Sequence, residues 1–149
     1  MARNETLIQA SPERVWEVLA DGWTYPLWVV GASRMRAVEE GWPEAGSRLH
    51  HSVGTWPVLI DDYTEVTAVD PGVSLTLRAR AQPSGVASVR LTLEPEGSGT
   101  RVVMEEDVVS GPGTLMPKPL RDAALSWRND ESLRRLAYVA ERPVTAASD

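Results

Sequence analysis

A run of alternating apolar and polar residues, broken by tight turns, constrains this chain more than any other feature. In residues 73–81, Val73, Leu75, Leu77, Ala79 and Ala81 share one face, while Thr76, Arg78 and Arg80 share the other. After Pro83-Ser84-Gly85, Ala87, Val89, Leu91 and Leu93 alternate with Ser88, Arg90 and Thr92. After Glu96-Gly97-Ser98-Gly99, residues 101–109 return. Strand side chains repeat with a period of two, and Pro, Ser and Gly supply the turn conformations. This pattern predicts an antiparallel meander with one dry and one wet face.

The flanking segments complete the order. Residues 3–9 read as a first strand. Ser11-Pro12-Glu13 announces a helix: Ser11 caps it, Pro12 suits the first helical position and Glu13 favours the positive end of the dipole. Val15, Trp16, Val18 and Leu19 form its apolar stripe, and Asp21-Gly22 ends it. The segment WTYPLWVVG at 23–31 is too aromatic for a free loop. Pro26 breaks any long helix there, so a short second helix or packed turn is expected. Strands follow at 34–39, 48–53 and 59–69, the last stopped by Asp70-Pro71-Gly72. A Gly/Pro-rich connection at 111–119 leads into one long helix at 118–142, ended by Pro143. Residues 143–149 read as a frayed tail. No repeat or second domain is visible, so residues 1–149 read as one domain. An antiparallel sheet followed by one long helix predicts an α+β fold in which the sheet grips the helix and leaves a hollow between them.

Composition narrows the class. A length of 149 residues suffices for a real core, and the hydrophobic share of 42% is ordinary for a soluble domain. A net charge of -6 argues against a general nucleic-acid binder, which needs a basic face. Without cysteine there is no thiol nucleophile, disulfide or thiolate metal site. No apolar run approaches the ~20 residues that span a bilayer, and the N-terminus lacks the pattern of a secretory signal. The expected location is cytoplasmic, with no membrane partner. There is no HExxH, no nucleophile elbow and no phosphate-cradling GxGxxG, so neither a metal nor another cofactor is expected.

Four segments, in this order, resemble the polyketide cyclase/dehydrase branch of the START-like, helix-grip superfamily (SRPBCC). They are ASPERVWEVLAD near the start, DDYTEVTAVDPG in the strand and turn, GSGTRVVMEED before the Gly-Pro bend, and RNDESLRRLAYVAE in the last helix. The resemblance covers roughly residues 3–142. It implies a seven-stranded curved antiparallel sheet wrapped around the C-terminal helix, with two short helices between the first and second strands. It also implies an internal pocket for an apolar small molecule, but not one reaction.

Candidate site residues follow from which faces turn inward. At about 100° per residue, Leu125, Asn129, Leu133, Leu136 and Ala140 share the inner stripe of the last helix, and Asp122 extends it by one turn. Asn129 and Asp122 are then candidates for a ligand's polar end. The alternatives are a backbone-bonded core Asn129 and an Asp122 placed only for the helix dipole. His50 and His51 are adjacent in a strand, so they point to opposite faces. His51 shares the inner face with Leu49 and Val53, which makes it a proton-transfer or ligand-binding candidate or else a hydrogen-bonded core histidine. If Val102 and Met104 point inward, so does Glu106, where burial would raise its pKa and suit it to acid–base work. A bulge before Gly111 would instead return Glu106 to solvent. Asp61 and Asp62 read as strand-end acids with at least one solvated. Trp28, Trp56 and Met116 are candidate pocket walls or ordinary core side chains. Trp127, Tyr138 and Leu120 lie on the opposite helix face, a possible homodimer contact or rings packed on loops and Arg stems.

The leading expectation is a binder of a hydrophobic, polyketide- or lipid-like small molecule, using Trp28, His51, Trp56, Met104, Met116, Asp122, Leu125, Asn129 and Leu133. One rival is a cyclase or dehydratase moving protons with His51 or Glu106. Another is a protein-interaction module without an open cavity.

Overall fold

The computed structural model describes residues 2–30, 32–55, 58–81 and 85–142. Seven strands run in chain order: β1 (Ala2–Ile8), β2 (Ala32–Val38), β3 (Arg48–Thr55), β4 (Val58–Asp70), β5 (Ser74–Ala81), β6 (Gly85–Glu96) and β7 (Gly99–Ser110). They form one sheet ordered β1-β7-β6-β5-β4-β3-β2, antiparallel throughout. Helix α1 (Pro12–Ala20), a 3-10 turn (Gly22–Thr24) and helix α2 (Tyr25–Trp28) connect β1 to β2. A second 3-10 turn (Pro112–Leu115) leads into α3 (Lys118–Glu141). The curved sheet holding this terminal helix is the helix-grip fold that the order of elements predicted.

Local signals act as expected. Ser11 Oγ accepts the Arg14 N–H at 3.2 Å and caps α1, with Pro12 opening the helix. Pro26 sits in the first turn of the four-residue α2, where its missing N–H costs nothing. Val73 departs from the alternation: its N–H bonds the Asp70 carbonyl at 2.9 Å in the turn, and its side chain is exposed rather than on the apolar face. Gly85 is required by close approach, since it has φ +125° and a Cβ would strike the Ser110 carbonyl.

Helix α3 is tied at its middle and at its C-terminal end. Asn4 Nδ2 on β1 donates to the Ser126 carbonyl at 3.1 Å, Ser126 Oγ at 3.0 Å and Asp130 Oδ1 at 2.7 Å. Arg14 on α1 donates to the Ala140 and Val139 carbonyls at 3.1 and 3.2 Å, near the negative end of the helix. Toward that end the inner stripe of α3 is packed solid. Leu133, Leu136 and Ala140 belong to one core cluster with Ile8, Val15, Leu19, Leu91 and Val102. The indole N–H of Trp42 donates to the Leu19 carbonyl at 3.2 Å, the partner a buried indole needs.

Candidate functional site

Toward the N-terminal half of α3 the core opens into a cavity of about 290 Å³, bounded by the concave sheet, α2 and the Pro112–Leu115 turn. The strands make room by shrinking their inward side chains. Along the β5–β6 hairpin, Leu75 pairs with Leu91, Leu77 with Val89, and Ala79 with Ala87. The last pair lines the cavity and the first does not. Trp28, Leu77, Val89, Met104 and Leu125 are among the remaining apolar wall residues.

Polar groups interrupt that wall, and three of them are buried. The first joins Tyr25, Thr64 and His51. His51 lies opposite Asp62 in the β3–β4 register and Leu49 lies opposite Thr64. Thr64 is therefore a diagonal, same-face neighbour of His51. Thr64 Oγ1 lies 2.8 Å from His51 Nε2 and 3.2 Å from the Tyr25 hydroxyl, and all three residues are buried. The Tyr25 ring stacks on His51 at 5.5 Å and meets Trp28 edge-on at 5.6 Å. Burial pushes the Tyr25 phenol up from its ordinary range, and the Glu106 carboxylate adds to this; the Thr64 hydrogen bond and Arg128 act against it. The phenol therefore stays neutral near pH 7 and keeps its proton to donate.

The second group is an ion pair. Glu106, only 3% exposed, accepts from Arg128 Nη2 through Oε2 at 2.6 Å. Its other oxygen, Oε1, is buried and has no hydrogen-bond partner among the described residues. Val102, Met104 and Glu106 all point inward, so no bulge carries Glu106 to solvent. The third group is Asn129, which is 1% exposed. Neither its Nδ2 nor its Oδ1 finds a partner among the described residues.

The other candidates divide clearly. Met116 is half-exposed on the cavity rim, where Arg121 reaches the Thr114 and Met116 carbonyls at 3.4 and 3.5 Å and Asp107 at 3.3 Å. Leu133 is buried in the solid core, off the cavity wall. Asp122 is also off the wall, which corrects the expectation that it faces a ligand. Lys118, one helical turn earlier, holds its carboxylate at 3.0 Å and keeps it below the usual carboxylate range. Trp56 lies outside the described residues. Asp62 is buried and bonded to Arg80 Nε at 2.9 Å, not solvated; the Asp61 side chain lies outside the described residues. His50 sits on the other face, 3.4 Å from Glu39. On the outer face of α3, Trp127 is 72% exposed and Tyr138 lies under the Arg142 guanidinium at 4.7 Å.

Sequence reasoning missed Tyr25, Thr64 and Arg128. The aromatic density around Pro26 was the available sign for Tyr25. Thr64 and Arg128 carry no local sign, because their partners lie 13 and 22 residues away.

A family model described as polyketide cyclase / dehydrase and lipid transport matches residues 2–141. The chain belongs to this family. Solved structures agree in fold. The Zhui aromatase/cyclase from Streptomyces sp. R1128 superposes with a TM-score of 0.70 at 21% identity, over 98% of this chain and 96% of that one. Protein CV1439 from Chromobacterium violaceum gives 0.67 at 19% identity, over 95% and 97% of the two chains. Protein SA2116 of Staphylococcus aureus, of unknown function, gives 0.71 at 12% identity, over 99% and 95%. At these identities the likeness establishes the fold shared by this family member. No curated protein matches the sequence. Among the described residues, no helix is long and apolar enough to cross a membrane.

Proposed function

We propose that this family member binds a small, largely apolar molecule between the sheet and the N-terminal half of α3. The observation that carries this reading is the taper of the β5–β6 hairpin. Ala79 and Ala87 stand where larger residues would have filled the hollow. The cavity measures about 290 Å³. That is near the lower end of ligand pockets and suits a one- or two-ring compound better than a long acyl chain. Transfer of the ligand's apolar surface from water drives binding at ~25 cal/mol per Å². Trp28, Met104, Met116 and Leu125 provide contact, and Asn129, His51 and Glu106 orient the polar end. Native mass spectrometry of freshly purified protein tests this. A discrete small adduct, released on denaturation and absent from Ala87→Leu, is expected; the same adduct on both proteins would oppose the reading.

A second reading, a cyclase or dehydratase, draws on one feature. The hydrogen-bonded Tyr25–Thr64–His51 chain faces the same hollow as Glu106. Such an enzyme would move protons with His51 or Glu106 while the cavity shape holds the substrate in a reactive conformation. On this reading, His51→Ala or Glu106→Gln abolishes turnover and leaves binding of an apolar probe within a few-fold; unchanged turnover in both variants would rule it out.

A further inference from the structure

The cavity holds more polar machinery than an apolar ligand needs, and the charges in that machinery are matched. Three arginines reach its wall, and each already has a carboxylate partner. Arg80 pairs with Asp62 at 2.9 Å and Arg128 with Glu106 at 2.6 Å, both hydrogen-bonded, and Arg121 lies 3.3 Å from Asp107 in an ion pair that leaves its buried Nε without a hydrogen bond among the described residues. A carboxylate or phosphate entering this hollow would meet no arginine without a carboxylate beside it among the described lining residues. It would have to break one of these pairs or remain a buried charge without a partner, and either is costly.

Against this balanced background stands the Asn129 amide. It faces the cavity, almost wholly buried, with neither its donor nor its acceptor bonded among the described residues. A primary amide is satisfied by a group that offers an acceptor and a donor side by side. Glu106 Oε1 adds a second buried acceptor on the same wall.

We infer that the cavity selects an uncharged ligand whose polar end carries a hydrogen-bond donor and acceptor on neighbouring atoms, the simplest form being a carboxamide, seated on Asn129. This rests on the ligand-binding reading above and adds the ligand's charge and hydrogen-bonding class.

Three probes of one skeleton and similar size separate the possibilities: 2-naphthamide, 2-naphthoate and 2-isopropylnaphthalene, titrated at pH 7 by fluorescence or calorimetry. The naphthamide is expected to bind the wild-type chain at least about tenfold more tightly than the naphthoate, the worth of roughly one unsatisfied buried polar group. In Asn129→Leu, affinity for the naphthamide should fall by about tenfold, while that for the isopropyl compound should hold or rise. Naphthoate binding as tightly as the amide overturns the inference, and that comparison needs no variant. So does an equal change for amide and hydrocarbon in Asn129→Leu, the result if water alone satisfies Asn129. Saturable binding without the amide preference leaves the ligand-binding reading standing. No saturable binding of any probe overturns both.

Discussion

The inner stripe of α3 runs through two unlike neighbourhoods. At its C-terminal end, Leu133, Leu136 and Ala140 join the core cluster with residues of α1 and the large side chains of the sheet. At its N-terminal end, Leu125 and Asn129 face Ala79, Ala87 and Gly85 across a hollow. The same strands serve both regions: β7 passes from Val102 in the core to Glu106 on the cavity wall, and β6 from Leu91 to Ala87. Helix α1 inserts Val15, Val18 and Leu19 at the solid end, while the shorter α2 caps the open end with Tyr25 and Trp28. Burial at one end stabilises the fold. The other end gives up packing and retains buried polar atoms that its neighbours do not satisfy.

Substitutions at matched positions can break this contrast. The largest effect is expected from Leu133→Ala, which opens a void in the solid end and costs ~2–5 kcal/mol. Leu125→Ala only widens an existing hollow and should cost less than about 2 kcal/mol, the transfer term alone. Equal losses in urea unfolding would erase the distinction. Overpacking sharpens it. Gly22→Ala, in the close contact between the end of α1 and strands β2 and β3, drives a methyl toward the Leu49 and Val38 side chains and should cost ~1–3 kcal/mol. Ala87→Leu, at the open end, should change stability by no more than about 1 kcal/mol.

Asn129→Leu should raise stability by about 1 kcal/mol, because it removes a buried amide that no described residue bonds. A loss of that size would mean that the amide is already satisfied in the free protein. The smallest effect concerns pH. Tyr25 is held neutral by burial, so above about pH 10 the unfolded tyrosine ionises while the folded one keeps its proton. The folded state then binds more protons, and stability falls as pH rises. Tyr25→Phe should show a shallower alkaline fall than the wild type, by thermal melts from pH 9 to 11.

Much of the fold was legible because its signals are local. The alternation in β5 and β6, the Ser11-Pro12 start of α1 and the inner stripe of α3 each lie within one element. Even the taper was written in the sequence, since Leu75 and Leu77 give way to Ala79 along one face. The polar site was less legible because it is assembled across elements. Glu106 meets Arg128 only when β7 curves over α3, and Thr64 reaches Tyr25 only when α2 folds onto the sheet. The expectation for Asp122 failed for the opposite reason: a local partner, Lys118 at i−4, takes up a side chain that the helical stripe alone assigns to the interior.

The most direct test is whether the open end admits an apolar guest that the solid end cannot. Calorimetric titration with 2-isopropylnaphthalene, in the wild type and in Ala87→Leu, measures this. One saturable site with a negative heat-capacity change is expected in the wild type, with affinity at least about tenfold weaker once Leu fills the space. Equal affinity in the two proteins, or no saturable site in the wild type, would contradict a binding hollow beneath the first turns of α3.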